Sequence, residues 1–377
     1  MRDVFISGIG LTPVGEHWET SLRELALEAM HAAQHDAPGL KPEALFVGNM
    51  LAPQLSRQAH LGALLADFAG WRGIEATTVE AAGASGGAAV RQALLAVASE
   101  QMDCALVVGV EKMTDRVGPG MTAATATAAD SDWEAAQGVT PTALAALVMQ
   151  RYMHEHQVGL KDFAGFSVNA HANAKTNPNA MFRNALTAEA FLKAGMVAEP
   201  VNMFDTAPEA DGAAAVFVTA QPGGVRVAAS AMATDVLAVH DRPDVLTFEA
   251  ARKSVAKAYQ QAGIKPEAVD VFELHDAFTV FAALSLEAAG FAERGRGWQL
   301  AGEAISRAGR IPISTLGGLK ARGNPGGATG VYQIAEVVLQ LRGAAGANQI
   351  PEARWGMTQS LGGAGATAVT HIFERVA

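Results

Sequence analysis

Two segments of this sequence run from a glycine-rich turn into a long apolar helix, and this repeat constrains the fold more than any other feature. The first is GASGGAAVRQALLAVASEQ (83–101), and the second is GNPGGATGVYQIAEVVLQL (323–341). Short β-branched runs alternate with such helices along the chain, which is typical of βαβ units around a parallel sheet. Two copies of one such layer predict an α/β protein built as a five-layer α/β/α/β/α sandwich. We expect the functional site to lie between the two halves.

The character of the sequence changes along the chain and divides it into three regions. Residues 1–115 alternate strands and amphipathic helices and are assigned to the N-terminal half. Residues 116–200 are rich in Met, Asn, His and polar turns, which predicts an inserted loop domain. The segment DGAAAVFVTA (211–220) is again typical of a strand, so about 201–221 should complete the first half. Residues 222–377 are assigned to the C-terminal half.

Composition and charge argue against several classes of protein. A chain of 377 residues exceeds what one small core supports, so a single small domain is excluded. The net charge of −10 is spread along the chain without a Lys/Arg cluster, which argues against a nucleic-acid or membrane surface. No export signal or membrane-length apolar run is found, so a cytoplasmic protein is expected. The single cysteine, Cys104, is interpreted as a core residue rather than a disulfide or zinc ligand.

Five stretches together carry a family resemblance. They are VEAAGASGGAA, VVGVEKMTD, the DGAAAV strand, ELHDAF and GGLKARGNPGGATG. In this order they resemble the thiolase family, specifically the branch that contains archaeal thiolases and the sterol-carrier-protein thiolases. The resemblance covers nearly the whole chain and implies the thiolase fold, with two duplicated halves and an inserted loop domain.

The resemblance also implies four catalytic positions, each of which is replaced or takes a variant form. Gly83 stands where thiolases carry the nucleophilic cysteine of C-x-S-G, and Asn324 stands for the histidine of G-H-P. Ser360 stands where many thiolases carry the acid/base cysteine of C-x-G. His275 begins the HDAF motif, in which some members carry a catalytic cysteine at the position of Ala277. Three correlated losses indicate a natural change of chemistry.

Gly83 and His275 are the two positions with the clearest chemical consequences. If Gly83 lies at a helix N-terminus, the unpaired N–H groups and the helix dipole can stabilise an anion that develops in the substrate. Alternatively, glycine merely suits the turn. His275 is expected to act as a general base near pH 7. Alternatively, Asp276 holds His275 as a structural pair.

Coenzyme A binding is implied by the family. The loop domain of thiolases covers the pantetheine and nucleotide, and here it supplies Lys175 and Arg183, which are phosphate ligands or ordinary surface charges. Ser314 and Gly326 are assigned to the same substrate-binding set. No covalently bound cofactor is expected, and a coenzyme A thioester enters as substrate. The GIG turn and GGATG do not match a dinucleotide or P-loop motif.

Three further residues have a functional and a plainer interpretation. His154 and His156 could form a metal pair, but an exposed helix or a wall of the loop domain is favoured, and no metal site is assigned. Tyr332 could be an acid in the pocket, but its helical setting favours core packing.

The altered catalytic positions leave three functions open. The first is an acyl-CoA carbon–carbon lyase that performs retro-aldol cleavage, or aldol addition in reverse, with His275 as base and Asn324 with the Gly83 turn as oxyanion hole. Side-chain-cleaving aldolases of this branch use tyrosines that HDAF does not provide. The second is a non-catalytic CoA-thioester-binding subunit, and the third is residual thiolase activity. The resemblance implies a homodimer or dimer of dimers, and a small OB-fold partner with a zinc ribbon.

Overall fold

The computed structural model describes residues 2–376, which form eleven strands and eleven α-helices. The strands are β1 (Phe5–Leu11), β2 (Ala44–Gly48), β3 (Glu75–Val79), β4 (Cys104–Glu111), β5 (Met196–Ala198), β6 (Val201–Asn202), β7 (Gly212–Thr219), β8 (Val225–Thr234), β9 (Val271–Glu273), β10 (Trp355–Gly362) and β11 (Thr367–Arg375). The helices are α1 (Leu22–Asp36), α2 (Ala52–Leu55), α3 (Leu61–Phe68), α4 (Ser85–Ala98), α5 (Pro119–Ala126), α6 (Pro141–His156), α7 (Ala164–Ala174), α8 (Ala188–Lys193), α9 (Glu249–Ala262), α10 (Thr279–Ala288) and α11 (Thr329–Arg342).

Nine of the strands form one mixed sheet in the order β3-β2-β4-β7-β1-β8-β11-β10-β9. The first five belong to the N-terminal half and the last four to the C-terminal half. The halves join where β1 and β8 pair antiparallel over a short register, Phe5 with Arg226 and Ile6 with Val225. The duplication predicted two layers of strands, and the structure adds that their edges are hydrogen-bonded to each other.

The two repeated helices form the middle layer of the molecule. Both α4 and α11 pack against strands of the two halves and against each other, while α1 and α3 cover one outer face and α9 with α10 the other. This arrangement confirms the five-layer α/β/α/β/α sandwich. β4 and β7 are buried at every position, because helices cover both faces of the sheet at that point.

Glycines allow α4 and α11 to approach each other at their first turns. A Cβ atom added to Gly330 would lie 2.3 Å from the backbone nitrogen of Gly87, and one added to Gly86 would lie 2.8 Å from the carbonyl oxygen of Gly327. Real Cβ atoms do not come so close to backbone atoms, so the two helices can cross here only because these positions are glycine. The repeated GG of the two segments therefore serves helix packing.

The inserted region adds elements outside the nine-stranded sheet. Among the described residues, 116–200 contains α5 to α8 and the strand β5, which pairs with β6 in a small hairpin. The chain then returns to the sheet through β7, which lies between β4 and β1. The strand expected over 211–220 is therefore present and completes the sheet of the first half.

Candidate active site

The turn before α4 carries the most unusual geometry of the site. Gly83 lies in a single 3₁₀ turn, Ala82–Ala84, that leads into α4. Ser85 stabilises this turn, because its hydroxyl accepts from the Ala81 N–H at 2.9 Å and donates to the Ala82 carbonyl at 2.6 Å. A Cβ on Gly83 would lie 2.7 Å from the Leu361 carbonyl oxygen and 3.1 Å from Cε1 of His275. The imidazole and the Leu361 carbonyl thus lie closer to position 83 than a side chain there would allow without a shift of its neighbours.

His275 follows β9, where the chain turns into α10, and its ring is almost fully buried at 6% exposure. Its Nδ1 has no hydrogen-bond partner among the described residues, and its Nε2 lies 3.4 Å from the Cβ position of Gly83. Burial, with the nearby Arg322 charge, lowers the pKa of His275 to about 3. With this pKa the imidazole is neutral at pH 7 and a weak base, which argues against the expected role of a general base poised near neutrality. A neutral imidazole can still donate one hydrogen bond.

Asp276 does not pair with His275. Its carboxylate accepts from the Ser314 hydroxyl at 3.0 Å and from the Leu319 N–H at 2.7 Å. The alternative of a structural His275–Asp276 pair is therefore not supported by the geometry. Ser314, assigned from sequence to substrate binding, is buried and oriented towards this carboxylate instead.

Asn324 lies in the turn before α11, opposite Gly83. Its side-chain Oδ1 accepts from the Thr329 hydroxyl at 3.0 Å, and among the described residues no partner reaches its Nδ2. The oxygen already accepts one hydrogen bond whereas the N–H₂ donates none to a described residue, so the N–H₂ is available to donate to a ligand. The orientation of Asn324 makes it a ready hydrogen-bond donor to an oxyanion.

The segment 205–210 is hydrogen-bonded to the HDAF segment and to the turn before α11, and it contributes a carboxylate that sequence reasoning missed. Ala207 donates its N–H to the Ala277 carbonyl at 2.8 Å, and Ala210 donates to the Asn324 carbonyl at 3.2 Å. Glu209 lies in this segment, bridged to Asn324. The surrounding protein raises the pKa of Glu209 above its ordinary value by desolvation. No motif marks this glutamate in the sequence; only its position just before the DGAAAV strand could have drawn attention.

These groups meet at one cavity of about 370 Å³. Its walls combine the two turns and the HDAF segment with threonine- and alanine-rich parts of the inserted region. The lining residues are Met50, Gly83, Met113, Thr122, Thr125, Ala128, Ala129, Thr140, Pro141, Thr142, Leu144, Val197, Ala198, Thr206, Ala207, Glu209, His275, Ala277, Phe278, Phe281, Asn324, Gly326, Leu361, Gly363 and Ala364. Gly83, His275, Asn324 and Gly326 are thus brought together, as expected for a site between the halves. Among the described lining residues, the ionisable side chains are Glu209 and His275.

Four of the residues predicted for the site do not line the cavity: Ser314, described above, and Ser360, Lys175 and Arg183. Ser360 is buried behind the cavity wall, and its hydroxyl donates to Oε1 of Gln333 at 2.7 Å, so it is not positioned to shuttle a proton. Lys175 and Arg183 are exposed and do not line the cavity. Tyr332 is a buried core residue whose hydroxyl donates to the Thr12 carbonyl at 3.0 Å, in agreement with the packing interpretation.

Residues 2–376 contain neither a membrane-spanning helix nor a metal-binding cluster. No helix in this range is long and apolar enough to cross a membrane. The same range contains no cluster of three or more His, Cys, Asp or Glu side chains arranged to hold a metal ion. His156 instead packs edge-on against the Tyr152 ring, with 4.6 Å between the ring centroids.

The comparison with known families decides the identity of the fold. The family model described as "Thiolase, N-terminal domain" matches residues 4–221, and "Thiolase C-terminal domain-like" matches residues 231–375. The chain belongs to the thiolase family. This confirms the resemblance inferred from the motifs.

This thiolase-family chain is also similar to individual curated proteins and solved structures. Acetyl-CoA acetyltransferase of Methanothermobacter thermautotrophicus is 43% identical over 387 residues, with 100% of both chains covered. Benzoylsuccinyl-CoA thiolase subunit BbsB of Thauera aromatica is 32% identical, with 96% of this chain and 95% of the relative covered. The solved Ltp2-ChsH2(DUF35) aldolase matches with a TM-score of 0.83 at 24% identity, covering 99% of this chain and 98% of that chain. At that identity the structural likeness establishes the fold alone.

Proposed function

We propose that this thiolase-family protein makes or breaks a carbon–carbon bond of a β-hydroxyacyl-CoA by aldol or retro-aldol chemistry, without a covalent acyl-enzyme. The observation that carries the proposal is the packing of the His275 ring against Gly83. A thiolase needs a thiol at this position to take up the acyl group, and here both the side chain and much of its space are absent. The cavity nevertheless retains hydrogen-bond donors and a carboxylate.

Retro-aldol cleavage of a β-hydroxyacyl thioester requires two things from the protein. A base must take the proton of the β-hydroxyl, and donors must stabilise the enolate oxygen that forms on the thioester carbonyl. The free N–H₂ of Asn324 and the neutral imidazole of His275 suit the second task, since both can donate without carrying a charge. No acyl-enzyme is needed, because the thioester enolate itself leaves.

The comparisons support coenzyme A chemistry at a coarser level. The relatives named acetyl-CoA acetyltransferase and benzoylsuccinyl-CoA thiolase are both named for CoA thioesters, and the structural neighbour is named an aldolase. The same neighbour is named together with a DUF35 protein. A small OB-fold partner with a zinc ribbon is accordingly part of the proposal, as is assembly into a homodimer or a dimer of dimers.

A panel of β-hydroxyacyl-CoA and β-ketoacyl-CoA thioesters, with products detected by mass spectrometry, tests the proposed function. Thioester affinity is measured beside turnover. We expect cleavage of at least one β-hydroxyacyl-CoA to a carbonyl compound and a shorter acyl-CoA, and no acylated protein. Thioester binding with no cleavage of any panel member would favour a non-catalytic binding subunit. Thiolysis of β-ketoacyl-CoA with an acylated protein would favour residual thiolase activity.

A further inference from the structure

We infer that Glu209 is the group that transfers the proton in this site, taking it from the substrate hydroxyl during cleavage and returning it to the α-carbon of the enolate. This inference rests on the proposed function, because it names the base of the same reaction. It assigns a role to a residue outside the catalytic positions implied by the thiolase motifs.

The first support is the path of the backbone around Glu209. The segment that carries it is hydrogen-bonded on one side to the HDAF turn, through Ala207 and Ala277, and bridged on the other side to Asn324. These contacts attach the segment to both elements that carry the proposed donors, and Glu209, His275 and Asn324 line the same cavity. A base must lie close to these donors, since the hydroxyl that it deprotonates is two carbons from the thioester carbonyl.

The second support is the absence of a competing base. Among the described residues that line the cavity, Glu209 is the only carboxylate, and Lys, Tyr and Cys do not occur. His275 is the one other ionisable group there, and its lowered pKa makes it a poor proton acceptor. Burial acts on Glu209 in the opposite direction and brings its pKa closer to neutrality, which suits a group that both accepts and releases a proton.

The third support is that the Glu209 carboxylate is not occupied by a structural role. No described residue donates a hydrogen bond or forms an ion pair with it, and burial is the sole cause of its raised pKa. The carboxylates of Glu111 and Asp276, by contrast, accept several hydrogen bonds from neighbouring backbone and side-chain groups. Glu209 lines the cavity and part of its side chain is open to solvent, although the surrounding protein partly desolvates the carboxylate and so raises its pKa.

Glu209 alone can perform both proton transfers of the reaction, so that all protons and electrons are accounted for. The Glu209 carboxylate takes the hydroxyl proton, the O–H electrons form the C=O bond of the released aldehyde or ketone, and the Cα–Cβ electrons become the thioester enolate. The Glu209 carboxylic acid then protonates Cα, which regenerates the carboxylate and completes the shorter acyl thioester. The reverse sequence forms the bond, and neither direction needs an oxidant, a reductant or another reactant.

Hydrogen exchange at Cα of acetyl-CoA in D₂O tests this inference separately from cleavage, using the full-length protein. We expect the wild type to catalyse exchange and Glu209→Gln to lower both exchange and cleavage by about 10²- to 10⁴-fold, with acetyl-CoA affinity changed only a few-fold. Glu189→Gln, the same change at an exposed glutamate of α8 that pairs with Lys193, should stay within about twofold of wild type.

A rescue experiment distinguishes proton transfer from a structural role. In Glu209→Ala, added formate should restore part of the exchange rate, because a small carboxylate can occupy the vacated space but cannot repair packing. Wild type without exchange, Glu209→Gln with unchanged exchange, or Glu209→Ala without formate rescue would each overturn the inference. Glu209-dependent exchange without cleavage of any panel member would overturn the lyase and support Glu209 as a base. Cleavage at an unchanged rate in Glu209→Gln would support the lyase and overturn the assignment of Glu209 as its base.

Discussion

The turn before α4 and the turn before α11 have similar sequences but present different groups to the cavity. Both contain a short 3₁₀ turn and use glycines to bring the two helices into contact. The second turn presents the donor of Asn324, oriented by Thr329. The first turn presents no side chain at Gly83, and the ring of His275 packs against it. The shared part of the pattern therefore serves the fold, and the positions that differ decide the chemistry.

The largest expected effect comes from breaking what the two turns share. Gly330→Ala places a Cβ where the backbone of Gly87 lies, at 2.3 Å, so the helices must separate. We expect a loss of about 3 kcal/mol in the free energy of unfolding. Gly120→Ala in α5 is the matched control, because no atom lies within 4 Å of the added Cβ and alanine favours the helix. Denaturant unfolding measures both; equal midpoints for the two variants would contradict the close-packing explanation.

The donor of the second turn is tested by Asn324→Ala. Loss of one oxyanion donor should lower the rate of β-hydroxyacyl-CoA cleavage by about 10²- to 10³-fold. Thr329→Val keeps the amide but removes the hydroxyl that orients it, so its effect should be smaller. A lowered rate of cleavage in steady-state kinetics, with unchanged thioester affinity, would support Asn324 as an oxyanion donor. A larger loss in Thr329→Val than in Asn324→Ala would contradict it.

Restoring a thiol tests the first turn. In Gly83→Cys the new side chain meets the Leu361 carbonyl and the His275 ring, so the ring must move and cleavage should fall by about 10²-fold. Thiolase turnover should be at most slight, because Asn324 cannot accept the thiol proton. The double variant Gly83→Cys with Asn324→His should have a higher thiolase turnover than Gly83→Cys alone, because the histidine can accept the thiol proton. Full acyl transfer by the single variant, seen as turnover and as acylated protein by mass spectrometry, would show that the histidine is dispensable.

The effect that vanishes near neutral pH, and is smallest there, is the pH dependence that His275 adds to the first turn. Its folded pKa of about 3 lies below the unfolded value of roughly 6.5, so the unfolded chain binds the proton first as the pH falls. Stability contributed by the neutral ring is therefore complete above pH 6.5 and declines towards pH 3. His275→Gln should reduce this decline by up to about 1.4 kcal/mol per pH unit.

His371 provides a comparison for this measurement, because burial lowers its pKa to about 4. His371→Gln should flatten the same curve only down to about pH 4, whereas His275→Gln should continue to differ from wild type below it. Unfolding midpoints measured at several pH values test the pair. Parallel curves for wild type and His275→Gln would contradict the lowered pKa.

The sequence by itself determined the architecture and the thiolase family of this protein. The repeated glycine turns and the β-branched runs are local patterns that predict helices, strands and their order, and the strand over 211–220 was identified in this way. The same motifs placed Gly83, His275, Asn324 and Gly326 at one cavity, because the duplication brings equivalent turns to the middle of the molecule.

Only the tertiary structure decided the state of each group in the site. The pKa of His275 depends on burial and on the charge of Arg322, which is distant in sequence, so the motif alone does not indicate that this pKa is lowered. Ser360 and Ser314 are turned away by partners from other elements, Gln333 and Asp276. Glu209 reaches the cavity because its segment pairs with Ala277 and Asn324, which lie much later in the chain. Desolvation and hydrogen bonding depend on neighbours in space, and no local pattern encodes them.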